Sequence, residues 1–301
     1  MNQEKRLLMM YCEENIHAGA GSSTGTIDLP IQREGHTEFP KFESSTLRGA
    51  IRENIEDTLE KAQLGEFNRI FGNKDNGEIA SLIDFPDAKI LLFPVRSFKG
   101  IFAWITCPFV LKRFKKDINN WFNNGLEFDI PTLDNSEIII NNSPIVYEGK
   151  VVLEEFLFEC KQLADMTKIE EKYLGKWITD LFTNPHDIIK DIEHKTAIVS
   201  DDVFRDFVNL YTVRITRNKI TTETGTAQEG ALFNEEFLPS ESVLYSFALT
   251  SDEFKKETDK ESYMKSKISM KYFEEKFPTL FRLGGDKGIG KGLIRQSLIN
   301  F

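Results

Sequence analysis

Residues 7–64 read LLMMYCEENIHAGAGSSTGTIDLPIQREGHTEFPKFESSTLRGAIRENIEDTLEKAQL, and three textures follow one another along that stretch. The apolar run from Leu7 to Tyr11, closed by Glu13 and Glu14, has the length and composition of a buried strand. Residues 18–35 hold four glycines and few large apolar side chains, which predicts a long loop. Ser44 or Ser45 then caps a helix predicted to reach about Leu64, with Leu47, Ile51, Ile55 and Leu59 at four-residue intervals on its apolar stripe. Ser45, Arg48 and Arg52 share another face of that helix.

The same mixture continues outward. Lys89 to Val95 predicts a strand buried on both sides, and Pro108 opens a helix through about Phe122, since proline suits a first helical turn. Further strands are predicted near residues 137–140, 151–160, 214–221 and 243–248, and helices near 168–182, 202–211 and 258–273. This order gives an α+β fold with at least one antiparallel sheet covered by helices. Residues 221–242, polar and flanked by strands, are either an extended hairpin projecting from the body or a disordered surface loop.

Composition bounds the function. The chain has 301 residues, 40% apolar and 29% charged, with a net charge of −10. No apolar run approaches the ~20 residues of a membrane span, and the run after Lys5 and Arg6 is too short for an export signal, so a cytoplasmic protein is expected. Cys12, Cys107 and Cys160 form no CxxC pair, which predicts three free, buried thiols. An acidic total argues against indiscriminate coating of nucleic acid, yet charge is segregated: residues 89–116 carry seven basic side chains and no acid, whereas residues 154–206 are net −6. Such runs are either solvated helix faces or one basic and one acidic side of the molecule.

Candidate chemistry is sparse. Gly285, Gly290 and Lys291 match GxxxxGK, but Gly292 stands where a nucleotide-binding loop needs Ser or Thr for magnesium. Only nine residues follow, which leaves no chain for the sheet of such a domain, so an ATPase is disfavoured. The glycines still let backbone N–H groups approach a phosphate, with lysines alongside. Residues 17–21 hold GxG without the spacing or the following helix of a dinucleotide fingerprint. Histidines at 17, 36, 186 and 194 give neither an HxxxH metal site nor a hydrolase triad. Asp28 sits in a polar loop with Gln32, Arg33 and Glu34, where aspartate is a catalytic group less often than a turn former. His17 reads more readily as a strand-end histidine than as a general base.

Taken in order, several segments resemble the RAMP superfamily of CRISPR proteins: His17 to Gly21, Ile27 to Glu34 and Ser44 to Arg52 at the amino-terminal side. Ile70-Phe71-Gly72, Asp87 to Ser97 and Gly284 to Gly292, with Val199 to Asp206 in keeping, narrow the likeness to the backbone subunits of type III-B (Cmr) effector complexes. It extends over about residues 7–299.

The resemblance implies a single RAMP domain over residues 1–301. Its ferredoxin-like (RRM-like) core would carry large insertions, a helical region at about 100–210 and a thumb hairpin at about 214–247. It implies copies stacked head to tail along a CRISPR guide RNA, among other effector subunits in antiviral defense, each an endonuclease (a hydrolase by class) that cuts complementary target RNA at regular intervals. Asp28 matches the catalytic aspartate, with His17 and Glu235 as weaker catalytic candidates. Ser45, Arg48 and Arg52 match a helix start that grips the guide, and Gly285, Lys287, Gly288, Gly290 and Lys291 match its guide-contacting loop. A divalent metal, Mg2+ or Mn2+, would bind Asp28 only together with substrate phosphate; no organic cofactor is expected. The alternative is a non-catalytic, guide-binding architectural subunit in which Asp28 caps a turn.

Overall fold

The computed structural model describes residues 3–73, 80–123, 125–141, 143–161, 168–218, 232–253 and 263–301. The first strand, β1 (Gln3–Cys12), is fully buried from Leu7 onward, and consecutive buried residues mean that both of its faces are covered. β2 (Lys41–Phe42) leads into α1 (Ser44–Glu56), whose stripe of Leu47, Ile51 and Ile55 is solvent-free, each worth roughly 1.5–3 kcal/mol of burial. The helix stops earlier than its periodicity suggests. Thr58 turns its hydroxyl back onto the Ile55 carbonyl at 2.7 Å, a local bond that competes with helix continuation. The chain restarts at Glu60, whose N–H is capped by the Gln63 side chain at 3.0 Å, and α2 (Leu64–Phe71) follows.

β3 (Ile83–Asp84), β4 (Ala88–Arg96) and β5 (Phe102–Thr106) precede α3 (Pro108–Phe122), which has proline in its first turn as predicted. Next come β6 (Glu137–Ile140), β7 (Lys150–Leu153) and β8 (Phe156–Lys161); the single strand expected over 151–160 is a hairpin turned at Glu154, where φ is +50°. The helix expected over 168–182 is also shorter. Its first part is a small hairpin of β9 (Lys168–Ile169) and β10 (Lys172–Tyr173), turned at Glu170 and Glu171 with positive φ, before α4 (Leu174–Asp180). α5 (Asp187–Lys195), β11 (Thr196–Ile198) and α6 (Asp201–Leu210) complete this region. Ser200 caps α6 by accepting the Val203 N–H.

β12 (Val213–Arg217) pairs antiparallel with β13 (Phe233–Phe237), and β14 (Val243–Ser251), α7 (Ser266–Lys276), β15 (Leu280–Arg282) and β16 (Leu293–Ile299) finish the chain. Residues 221–231 of the loop expected at 221–242, and the start of the helix expected at 258, lie outside the described residues; the remainder of that loop contains β13.

The main sheet runs β15-β16-β1-β14-β4-β5-β11-β6-β8-β7. Around β1 all neighbours are antiparallel, while β11 lies parallel to β5 and β6 parallel to β8. Residues 100–210 therefore extend the sheet as well as adding helices. α7 packs on β1 and β14, and α3 on β1 and β4, with Phe114 edge-on to Tyr245 at 4.6 Å. The fold is α+β with one large mixed sheet.

Candidate active site

The site is organised by β13, which hydrogen-bonds β12 along one edge and the amino-terminal loops along the other. Leu29 donates to the Asn234 carbonyl and accepts from the Glu236 N–H, each at 3.0 Å, and Ile16 and Leu238 exchange N–H···O bonds at 2.9 Å. Side chains of a strand alternate between faces, so Asn234 and Glu236 serve one side and Glu235 the other.

At the strand's edge, the half-buried Asp28 accepts the Asn234 backbone N–H on Oδ2 at 2.7 Å. Its Oδ1 has no partner among the described residues. Glu236, 1% exposed, secures the following turn: it accepts the Ile31 N–H at 3.0 Å, Arg33 Nη2 at 2.6 Å and the Thr212 hydroxyl at 2.7 Å. Asp28 thus bonds the backbone of a distant strand and not its own turn.

On the other side, Glu235 meets Arg217 at 3.1 Å, and the same Arg217 Nη2 donates to Asp286 at 2.6 Å. Burial, then the neighbouring Asp286 carboxyl, raises the Glu235 pKa above the ordinary glutamate value; His17 and Arg217 oppose the shift. His17 Nδ1 lies 2.7 Å from the Glu236 carbonyl, which can only accept, so that nitrogen carries a proton. Nε2 faces Glu235 Oε1 at 3.6 Å.

The glycine loop closes over His17. Gly284 has φ +88°, and a Cβ there would sit 2.3 Å from the His17 carbonyl oxygen. Gly292, at φ +85°, would place a Cβ 2.5 Å from the Leu283 carbonyl oxygen. Both positions therefore demand glycine. Gly285 donates to the His17 carbonyl at 2.9 Å and Gly292 to that of Asn15 at 3.0 Å. Residues 289–291 bond back to Asp286 and Lys287, which leaves the N–H groups of Asp286, Lys287 and Gly288 open among the described residues. Lys287 pairs with Glu53, while the Lys291 ammonium lies 5.8 Å from the Phe237 ring centroid.

Arg48 and Arg52 do share a helix face, but that face turns onto the end of α2. Both donate to the Phe71 carbonyl, and Arg52, 5% exposed, also bonds Gly72 at 2.7 Å and Asn68 at 2.9 Å while covering the Phe67 ring at 4.8 Å. Arg52, matched by the resemblance to a guide-gripping helix start with Ser45 and Arg48, is buried here against α2. Its guanidinium satisfies carbonyls that a helix end leaves without intrahelical partners. Ser45 is exposed, and with Arg48 it lines an open depression of about 650 Å³.

Asp28, His17, Glu235 and the glycine loop thus converge on β13, with Ser45 and Arg48 in a separate depression on α1. Sequence reasoning did not single out Arg217 or Asn234, and neither carries a local signal, because their partners lie 69 and 206 residues away. Cys12 and Cys107 are buried and unpaired, and burial raises both thiols, so neither suits a nucleophile; Cys160 is only partly buried. No group of three or more His, Cys, Asp or Glu among the described residues is placed to hold a metal ion. None of their helices is long and apolar enough to cross a membrane.

The family model described as the RAMP superfamily matches residues 10–295. The chain belongs to the RAMP superfamily. Among RAMP relatives, it is 36% identical over 296 residues to the CRISPR system Cmr endoribonuclease Cmr4 of Pyrococcus furiosus, covering 97% of this chain and 95% of that one. It is 23% identical to the CRISPR system CMR subunit Cmr4 of Saccharolobus solfataricus, over 95% and 94% of the two chains. The structure of oligomeric Cmr4 from Pyrococcus furiosus superposes with a TM-score of 0.72 at 30% identity, covering 98% of each chain. A type III-B Cmr-beta complex bound to cognate target RNA holds a chain of the same fold, with a TM-score of 0.72 at 19% identity and 98% and 97% coverage.

Proposed function

We propose that this chain is a backbone subunit of a type III-B CRISPR effector complex that stacks with further copies along a guide RNA and, as an endoribonuclease, cuts complementary target RNA through Asp28. The observation that carries the reading is the anchoring of Asp28 to β13, on the same strand that holds His17, Glu235 and, through Arg217, the glycine loop. The Pyrococcus relative named an endoribonuclease supports the activity, and the oligomeric Cmr4 and RNA-bound Cmr-beta structures support the partners: other copies, other subunits and target RNA. A cytoplasmic location belongs to the same reading.

Strand order supports a ferredoxin-like core. β1-α1-β4 and β14-α7-β16 are two βαβ units whose strands lie β16-β1-β14-β4, every neighbour antiparallel. In this reading β12 and β13 are the base of the thumb, whose tip lies outside the described residues. Ser45, Arg48 and the open N–H groups beside Lys287 and Gly288, with Lys291, hold guide phosphates.

Cleavage follows from geometry. A target nucleotide splayed at the thumb base sets its 2′-OH in line with the phosphorus; the 2′ oxygen loses its proton as it attacks, and the bond to the 5′ oxygen breaks as that oxygen gains one. Asp28, with Oδ1 open, positions or accepts the first proton. His17 and Glu235 are the candidates for the second, and burial keeps Glu235 protonated to higher pH than an ordinary carboxyl. A magnesium or manganese ion would have to arrive with the RNA phosphate, since Asp28 supplies a single carboxylate.

The test is guide-loaded complex carrying Asp28→Asn, which keeps the side chain's shape. Target capture should persist while internal cutting falls by about 10²–10⁴-fold. Undiminished cutting would overturn the assignment and favour the architectural reading, in which the Asp28 bond to Asn234 is structural only.

A further inference from the structure

The basic run at residues 89–116 has a location that the proposed site does not use. Three adjoining depressions, of about 580, 650 and 330 Å³, share Asp87 and form a groove from the start of α1 to α3. The 580 Å³ cavity is walled by three acids, and each is matched by one base. Glu34 pairs with Arg113 at 2.5 Å, Asp87 with Lys41 at 2.9 Å, and Asp117 with Lys89 at 2.7 Å. Lys112 and Lys116 remain, both exposed, lining the cavity without an ion-pair partner among the described residues. They lie one helical turn apart, a like-charge spacing that costs α3 a few tenths of a kcal/mol when nothing anionic lies between.

We infer that this groove is a phosphodiester track for single-stranded RNA, with Lys112 and Lys116 each contacting a phosphate. RNA is favoured over an acidic protein surface by Phe109, 37% exposed in the cavity wall with the Arg113 guanidinium 5.6 Å from its ring, because an aromatic face beside paired cations suits a base stacked next to its phosphate. Continuity with Ser45 and Arg48 makes the track an extension of the guide path, so in that respect it rests on the function proposed above. The phosphate chemistry stands independently.

The experiment titrates labelled oligouridylate against the full chain at several salt concentrations, comparing wild type with the double variant Lys112→Gln/Lys116→Gln. Lys190→Gln/Lys271→Gln, with the same change of charge on exposed lysines elsewhere, is the control. The slope of log affinity against log salt should fall by about 1.4 in the double variant, 0.7 per lost phosphate contact, and stay at the wild-type value in the control. Equal slopes in wild type and double variant would overturn the track. Loss of RNA-free self-association in sedimentation with an unchanged slope would also overturn it, and would assign the groove to a neighbouring copy's acidic side. Thermal unfolding of each variant checks that the fold persists. Cutting by Asp28→Asn complexes leaves this slope untouched, so the two proposals fail separately.

Discussion

At the scale of single residues, Gly284 carries the tightest steric demand near the site. A side chain there meets the His17 carbonyl at 2.3 Å on a backbone already at φ +88°, and the oxygen cannot retreat because it accepts the Gly285 N–H. Gly284→Ala should destabilise the protein by about 2 kcal/mol or more and displace His17 from β13, seen as a lower urea midpoint together with a shifted His17 imidazole resonance. Alanine at Gly288, where added bulk meets nothing, should leave both unchanged. Residue identity made part of this site legible beforehand: Asp28 stood out as an acid in a glycine-bearing loop, and the glycines themselves were visible. Arg217 and Asn234 were not, because what they do depends on partners that only the fold supplies.

At the scale of elements, α1 and α2 form a clamp closed by Arg52. Arg52→Ala removes the donor to the buried Gly72 carbonyl and one of the two donors to that of Phe71, which should cost about 1–3 kcal/mol in urea unfolding. Arg52→Lys should recover little of this, since a single ammonium cannot reproduce the planar fork and its stacking on Phe67. Periodicity revealed the Leu47-Ile51-Ile55 stripe and the strand around Leu91, where one face or one run dominates. It failed over 151–160 and 168–182. There the decisive event is a tight turn through Glu154, Glu170 or Glu171 at positive φ, a conformation that glutamate does not announce. Arg48 and Arg52 were grouped correctly on one face, but spacing alone does not say whether a face looks toward water or toward another helix.

At the scale of the whole molecule, Glu241 joins three parts of the sheet. Its N–H donates to the Cys12 carbonyl at 2.8 Å and its carbonyl accepts Trp104 Nε1 at 2.7 Å, so β1, β5 and the approach to β14 meet at one residue. Burial pushes its carboxyl from 4.5 up to about 7. The folded state then holds a proton that the unfolded chain has released, so stability is greatest below about pH 4.5 on this account and declines as pH rises to about 7. Glu241→Gln should flatten that decline and raise the thermal midpoint at pH 8 relative to wild type, as scanning calorimetry across this range would show.

The position of β1 between β14 and β16 carries a consequence for biosynthesis. Both pairing edges of β1 are reserved for strands that come far downstream in the chain. Its run of Leu7 to Cys12 therefore stays unpaired until β14 and β16 have been made, and closure of the core waits on them, which favours chaperone protection of the nascent chain.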